Sequence, residues 1–83
     1  ALDVFPNPAF EKVTISPVFI PHFIQKALIN LYDISGKLIL TKAIVEMEGN
    51  EVTLDVSSLA KGMYVGKIVM DGKTVNNFKM TKR

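Results

Sequence analysis

Between Glu51 and Met70 two runs of alternating apolar residues flank a polar corner, and this stretch restricts the chain to an architecture built of strands. Val52, Leu54 and Val56 fall on one face while Thr53 and Asp55 fall on the other, the period of two that a half-buried strand requires. After the corner Ser57-Ser58-Leu59-Ala60-Lys61-Gly62, a second run starts at Met63, with Tyr64, Ile68 and Met70 on a common face and Gly66 between them. A corner of this length is too long for a two-residue hairpin turn, so it is expected to carry the chain from one sheet to another, with Leu59 as its apolar plug. Gly62 stands where a left-handed backbone costs little. Tyr64 is expected to turn its ring into the core and its hydroxyl toward a backbone group of the corner, as tyrosine corners do in β-sandwiches. Leu59 and Tyr64 are both expected to be largely buried.

The remaining segments supply strands to cover this pair. Leu2 to Phe5 is a short apolar run stopped by Pro6-Asn7-Pro8; two prolines hold a segment extended and remove two donors, which suits a first strand at a sheet edge. Val13 to Ser16 alternates as a second strand and Pro17 ends it. Ala27 to Asp33 alternates with Ala27, Ile29 and Leu31 on one face. The turn Ile34-Ser35-Gly36-Lys37 follows, with Gly36 available for positive φ, and Lys37 to Val45 returns as the next strand. Gly49-Asn50 provides the turn before Val52, and Asp71-Gly72-Lys73 joins the strand ending at Met70 to a last one running to about Met80. The spacing predicts seven short strands without helical periodicity, an all-β, antiparallel, immunoglobulin-like β-sandwich, with a single small barrel as the alternative. Between the second and third strands lies Val18-Phe19-Ile20-Pro21-His22-Phe23-Ile24, apolar yet framed by prolines. Its side chains either cap an open end of the sandwich or form an exposed adhesive patch.

Eighty-three residues support a single core, so residues 1–83 are expected to form one domain. With 48% hydrophobic and 22% charged residues the balance is globular, and the absence of cysteine excludes disulfides and thiolate metal sites. A formal charge of +2 argues against nucleic acid as a partner, although Lys79, Lys82 and Arg83 gather near the end. No apolar run approaches the roughly 20 residues of a membrane helix. Ala1 to Val4 lacks the basic head and apolar stretch of a signal peptide, so an export signal, where one exists, is expected on a longer precursor or elsewhere in the chain.

Candidate chemistry is sparse. His22 is the only histidine and has no evident partner as ligand or base. Ser57 and Ser58 follow Asp55 but lack a base to activate a hydroxyl, so they are expected to cap the turn. Glu46, Glu48 and Glu51 surround Gly49-Asn50 without the ligand spacing of a calcium loop, which leaves a solvated turn. The residues therefore describe a binding or structural module that is not an enzyme and takes no cofactor or metal.

Four pieces, in order, carry a likeness to a known family: Val4-Phe5-Pro6-Asn7-Pro8-Ala9, Leu31-Tyr32-Asp33-Ile34-Ser35-Gly36-Lys37, Leu54 to Tyr64 across the corner, and Asp71-Gly72-Lys73 with the basic end. Together they resemble the type A C-terminal sorting domain of the type IX (Por) secretion system of Bacteroidota, over essentially the whole chain. The resemblance implies a domain attached behind a larger cargo, recognised by the outer-membrane translocon, moved through the periplasm to the cell surface or released, and removed by a sortase-like peptidase. It points to Gly62, Tyr64, Lys79, Lys82 and Arg83 as candidates for the recognised signal, and to Pro6, Asn7, Pro8, Asp33, Gly36, Lys37 and Leu59 as structural motif residues. Gly66 stands where the family usually carries a larger aliphatic side chain, so either a neighbour fills that space or the packing there is looser. Asn77 precedes Phe78 where many members place lysine. Recognition by such a label has two physical routes, strand addition at an edge and steering by the terminal charges. An unpaired edge also permits a weak homodimer. The alternative function is an immunoglobulin-like adhesive or carbohydrate-binding module that uses Phe19 and Phe23.

Overall fold

Alternation of apolar and polar residues becomes seven strands in a computed structural model that describes residues 2–45, 47 and 49–83. They are β1 (Asp3–Phe5), β2 (Lys12–Ser16), β3 (Ala27–Asp33), β4 (Leu38–Ala43), β5 (Val52–Asp55), β6 (Gly62–Met70) and β7 (Lys73–Lys82). The strands form two antiparallel sheets, one of order β1-β2-β5 and the other of order β4-β3-β6-β7, and the described residues contain no helix. The corner after β5 therefore does carry the chain between sheets. β4 lies beside its hairpin partner β3; in the constant-type immunoglobulin sandwich the fourth strand pairs with the fifth.

One core joins the sheets. Val13, Ile15, Val52 and Leu54 come from the first, and Ile29, Leu31, Ile68 and Met80 from the second. Tyr64, Ile68 and Met70 share the buried face of β6 as their spacing predicts. Gly66 lies on that face opposite Phe78 of β7, and a Cβ added to it would run into the Phe78 ring. The neighbour that fills the space left by Gly66 is thus Phe78.

Three expectations require correction. The segment Pro6-Asn7-Pro8 bends where an extended run is predicted, because the residues that follow turn to reach β7. Leu59 is half-buried, packed on the margin of the core, while Tyr64 is 6% exposed. Finally, the stretch from Val18 to Ile24 both caps and protrudes. Val18 is buried and Ile20 and Ile24 pack on the core, yet Phe19 is 65% and Phe23 70% exposed. Proline framing breaks the alternation there, so inward and outward side chains could not be separated by period. Glu46 and Glu48 of the predicted acidic turn lie outside the described residues, as does Ala1.

Far from the corner, the β6–β7 turn has positive φ at Asp71 (48°) and Gly72 (83°), the backbone of a tight two-residue hairpin. The Asp71 carboxylate accepts hydrogen bonds from the Lys26 (2.9 Å) and Gln25 (3.1 Å) amides. This ties the end of the proline-framed loop to the hairpin.

Candidate functional site

The two ends of the chain are clasped together. Asn7 Oδ1 accepts from the Thr81 amide at 3.0 Å, and Asn7 Nδ2 donates to the Lys79 carbonyl at 3.4 Å. The Ala9 amide donates to the Thr81 carbonyl and the Arg83 amide to the Ala9 carbonyl, both at 2.8 Å. Ala9 pairs with Lys82 in a parallel bridge, its side chain wholly buried. Proline lacks an N–H, so the amides available between residues 6 and 9 belong to Asn7 and Ala9, and that of Ala9 is committed to β7. The outer edge of β7 is thereby satisfied over its last residues, and the strand extends to Lys82 beyond the predicted end near Met80.

On its other side β7 pairs with the start of β6, Lys82 opposite Gly62 and Met80 opposite Tyr64. Gly62 has φ 148°, a backbone that L side chains rarely adopt, although open space surrounds it. The Tyr64 hydroxyl donates to the Ala60 carbonyl at 2.6 Å, so the tyrosine corner closes as its spacing predicts. Tyr64 also pairs across β6 and β3 with Asp33, which puts the Asp33–Lys37 turn at this same end. There the Asp33 Oδ1 accepts from the Ser35 hydroxyl (2.6 Å), the Ser35 amide (2.9 Å) and the Lys37 amide (3.0 Å). The Ser35 hydroxyl, then the Lys37 amide, hold the Asp33 carboxyl below its ordinary value. Asp55 and Ser57 repeat the device at the start of the corner, hydroxyl to carboxylate at 2.6 Å, and Asp55 is lowered mainly by Ser57. That is the turn-capping role expected of Ser57.

The structure thus gathers the proline motif, the Asp33 turn, the corner and the terminal residues at one end of the molecule, and leaves the Asp71 hairpin at the other. Of the signal candidates, Lys79 and Arg83 are exposed, Gly62 is exposed backbone, and Tyr64 is a buried support. Lys82 is only 9% exposed, its ammonium donating to the Arg83 carbonyl at 3.0 Å, so the basic residues do not form one uniform tip. Sequence reasoning overlooked Asp71 as the anchor of the apolar loop and Asn7 as a side-chain clasp. The Asp-X-Ser pattern, spelled at Asp33-Ile34-Ser35 and again at Asp55-Val56-Ser57, is a signal that would have located both capped turns.

His22 lies in the exposed loop, its ring edge-on to Phe23 with centroids 5.9 Å apart. Among the described residues no group of three or more His, Cys, Asp or Glu side chains is placed to hold a metal ion. What this end offers chemically is fixed backbone and cationic groups for binding.

A family model described as "Secretion system C-terminal sorting domain" matches residues 3–82. No curated protein matches the chain at a significant level.

Proposed function

The chain belongs to the secretion-system C-terminal sorting domains, and on that premise we propose how its surface is read. Its function is that of a C-terminal sorting signal for type IX secretion, which sends a protein out across the envelope to the cell surface or into the medium. The observation that carries the reading of the surface is the clasp, in which Asn7 and Ala9 fix the last residues of β7 against the corner. In this reading the outer-membrane translocon recognises the face that presents Lys79, Arg83 and the backbone at Gly62, and Tyr64, Leu59 and Asp33 hold that face in shape. The domain is a non-catalytic label that follows a cargo in the same chain, and a sortase-like peptidase removes it after transit. Any self-association uses β4, which among the described residues pairs with β3 alone and exposes Leu38 and Ile39.

The test fuses the domain to a periplasmic reporter in a host that carries the secretion system and compares Lys79→Ala/Arg83→Ala with wild type. Both side chains are exposed, so the fold is retained. Reporter held in the periplasm supports the reading; export at the wild-type rate counts against these cations as signal.

Exposure of Phe19 and Phe23 favours a second activity at the opposite end, adhesion to a sugar or protein surface through stacked rings. Binding on a glycan array that disappears in Phe23→Ala while export persists would establish it.

A further inference from the structure

The clasp has a by-product in the cross-strand order Ala9, Lys82, Gly62. The residues one step along these three segments are Phe10, Arg83 and Lys61, and with Lys82 they line an open groove of about 580 Å³. Phe10 is 59% exposed and stands in this groove beside the cations rather than with the apolar loop of Phe19 and Phe23. Lys61 and Arg83, both exposed, line the groove with it, and Lys82, 9% exposed as a residue, has one of its three ammonium donors engaged by the Arg83 carbonyl. Among the described residues no acidic side chain lines the groove, whose walls carry the cations of Lys61, Lys82 and Arg83.

We propose that this groove is a docking site for an acidic peptide segment of a partner protein, an apolar side chain lying on Phe10 and flanking carboxylates meeting Lys61, Lys82 and Arg83. Charge complementarity selects the occupant: an uncharged apolar segment would leave the cations unpaired, and a bare inorganic anion would leave the ring uncovered. The site rests on the sorting-signal reading for its biological context and gives the recognising partner a chemistry. It also adds Phe10 and Lys61, from the first loop and the corner, to the terminal cations.

The probe is a fluorescein-labelled peptide in which glutamates flank a central leucine pair, titrated at low salt into the whole domain and followed by anisotropy. The expected result is that Lys61→Glu and Phe10→Ser each weaken binding roughly tenfold, as removal of a charged or aromatic anchor does. Lys73→Glu, at the opposite end, and the unlabelled fold by circular dichroism are expected to be unchanged. Equal weakening by Lys61→Glu and Lys73→Glu, or equal binding of the peptide with glutamine in place of glutamate, would overturn the site. Anionic vesicles bound in a Phe10-dependent manner without peptide binding would overturn it in favour of a lipid surface. The reporter fusion separates this from the broader reading: a wild-type domain that is not exported refutes the sorting signal, whereas wild-type export by Lys61→Glu/Phe10→Ser overturns the groove alone.

Discussion

Gly66 and Phe78 show how one missing side chain can be a packing decision. Across β6 and β7 the pair faces the core, and the Phe78 ring occupies the volume any Cβ at Gly66 would need. Gly66→Val should therefore cost about 1 to 3 kcal/mol through overpacking, and shortening the partner in Gly66→Val/Phe78→Leu should recover part of that loss. Denaturant midpoints of the two single variants and the double variant measure the coupling; strict additivity would mean that the ring moves aside freely. The sequence made the departure at Gly66 visible but not its resolution, because which residue lies across a strand depends on register, and register here is set by a turn and an irregularity between Ile68 and Val69. Leu59 packs on the core but less deeply than expected, for a related reason. Its apolar character was plain, yet its depth depends on how sharply the corner passes the sandwich margin, and it came out half-buried.

At the scale of elements, strands were legible and their ends were not. Alternation places β2, β3, β5 and β6 because one face of each is buried, as the inward positions Val13, Ile29, Leu54 and Ile68 show. The final two residues of β7 pair with Met63 and Gly62 on one side and meet Ala9, more than seventy residues earlier, on the other, and no local pattern reports that second partner. Asn7→Ala should open this clasp, at a cost of about 1 kcal/mol for a surface hydrogen-bond pair, with faster amide exchange at Thr81 but not at Ile68. Unchanged exchange at Thr81 would show that Ala9 holds the strand without Asn7. The capped turns carry a pH dependence. Asp33 and Asp55 titrate below their unfolded values, so their stabilisation is complete above the ordinary carboxylate pKa and is lost as pH falls through the lower, folded values. Carboxyl chemical shifts followed by NMR in an acid titration should place both midpoints below that of a free aspartate, and Ser35→Ala should move Asp33 back up. A midpoint for Asp33 that ignores Ser35→Ala would assign the lowering to another donor.

For the molecule as a whole, the candidate site and the core share the same strand, which decides how the signal can be tested. β7 alternates Phe78, Met80 and Lys82 inward with Lys79 outward, so the residues nearest the end are at once the proposed label and packing. Deleting residues 80–83 removes the Met80 side chain, 1% exposed, together with the Thr81 and Arg83 bonds to Asn7 and Ala9. Burial of such a side chain contributes about 1.5 to 3 kcal/mol and each backbone bond about 1, a large share of the roughly 5 kcal/mol that holds a small domain together. The deletion should therefore lower the thermal midpoint by well over ten degrees or abolish the cooperative transition, while Lys79→Ala/Arg83→Ala leaves the midpoint nearly unchanged. Loss of export in the deletion alone would then report unfolding, and loss in the double substitution would report recognition. A deletion that melts like wild type would mean that the end of β7 contributes nothing to the core and that the clasp is decorative.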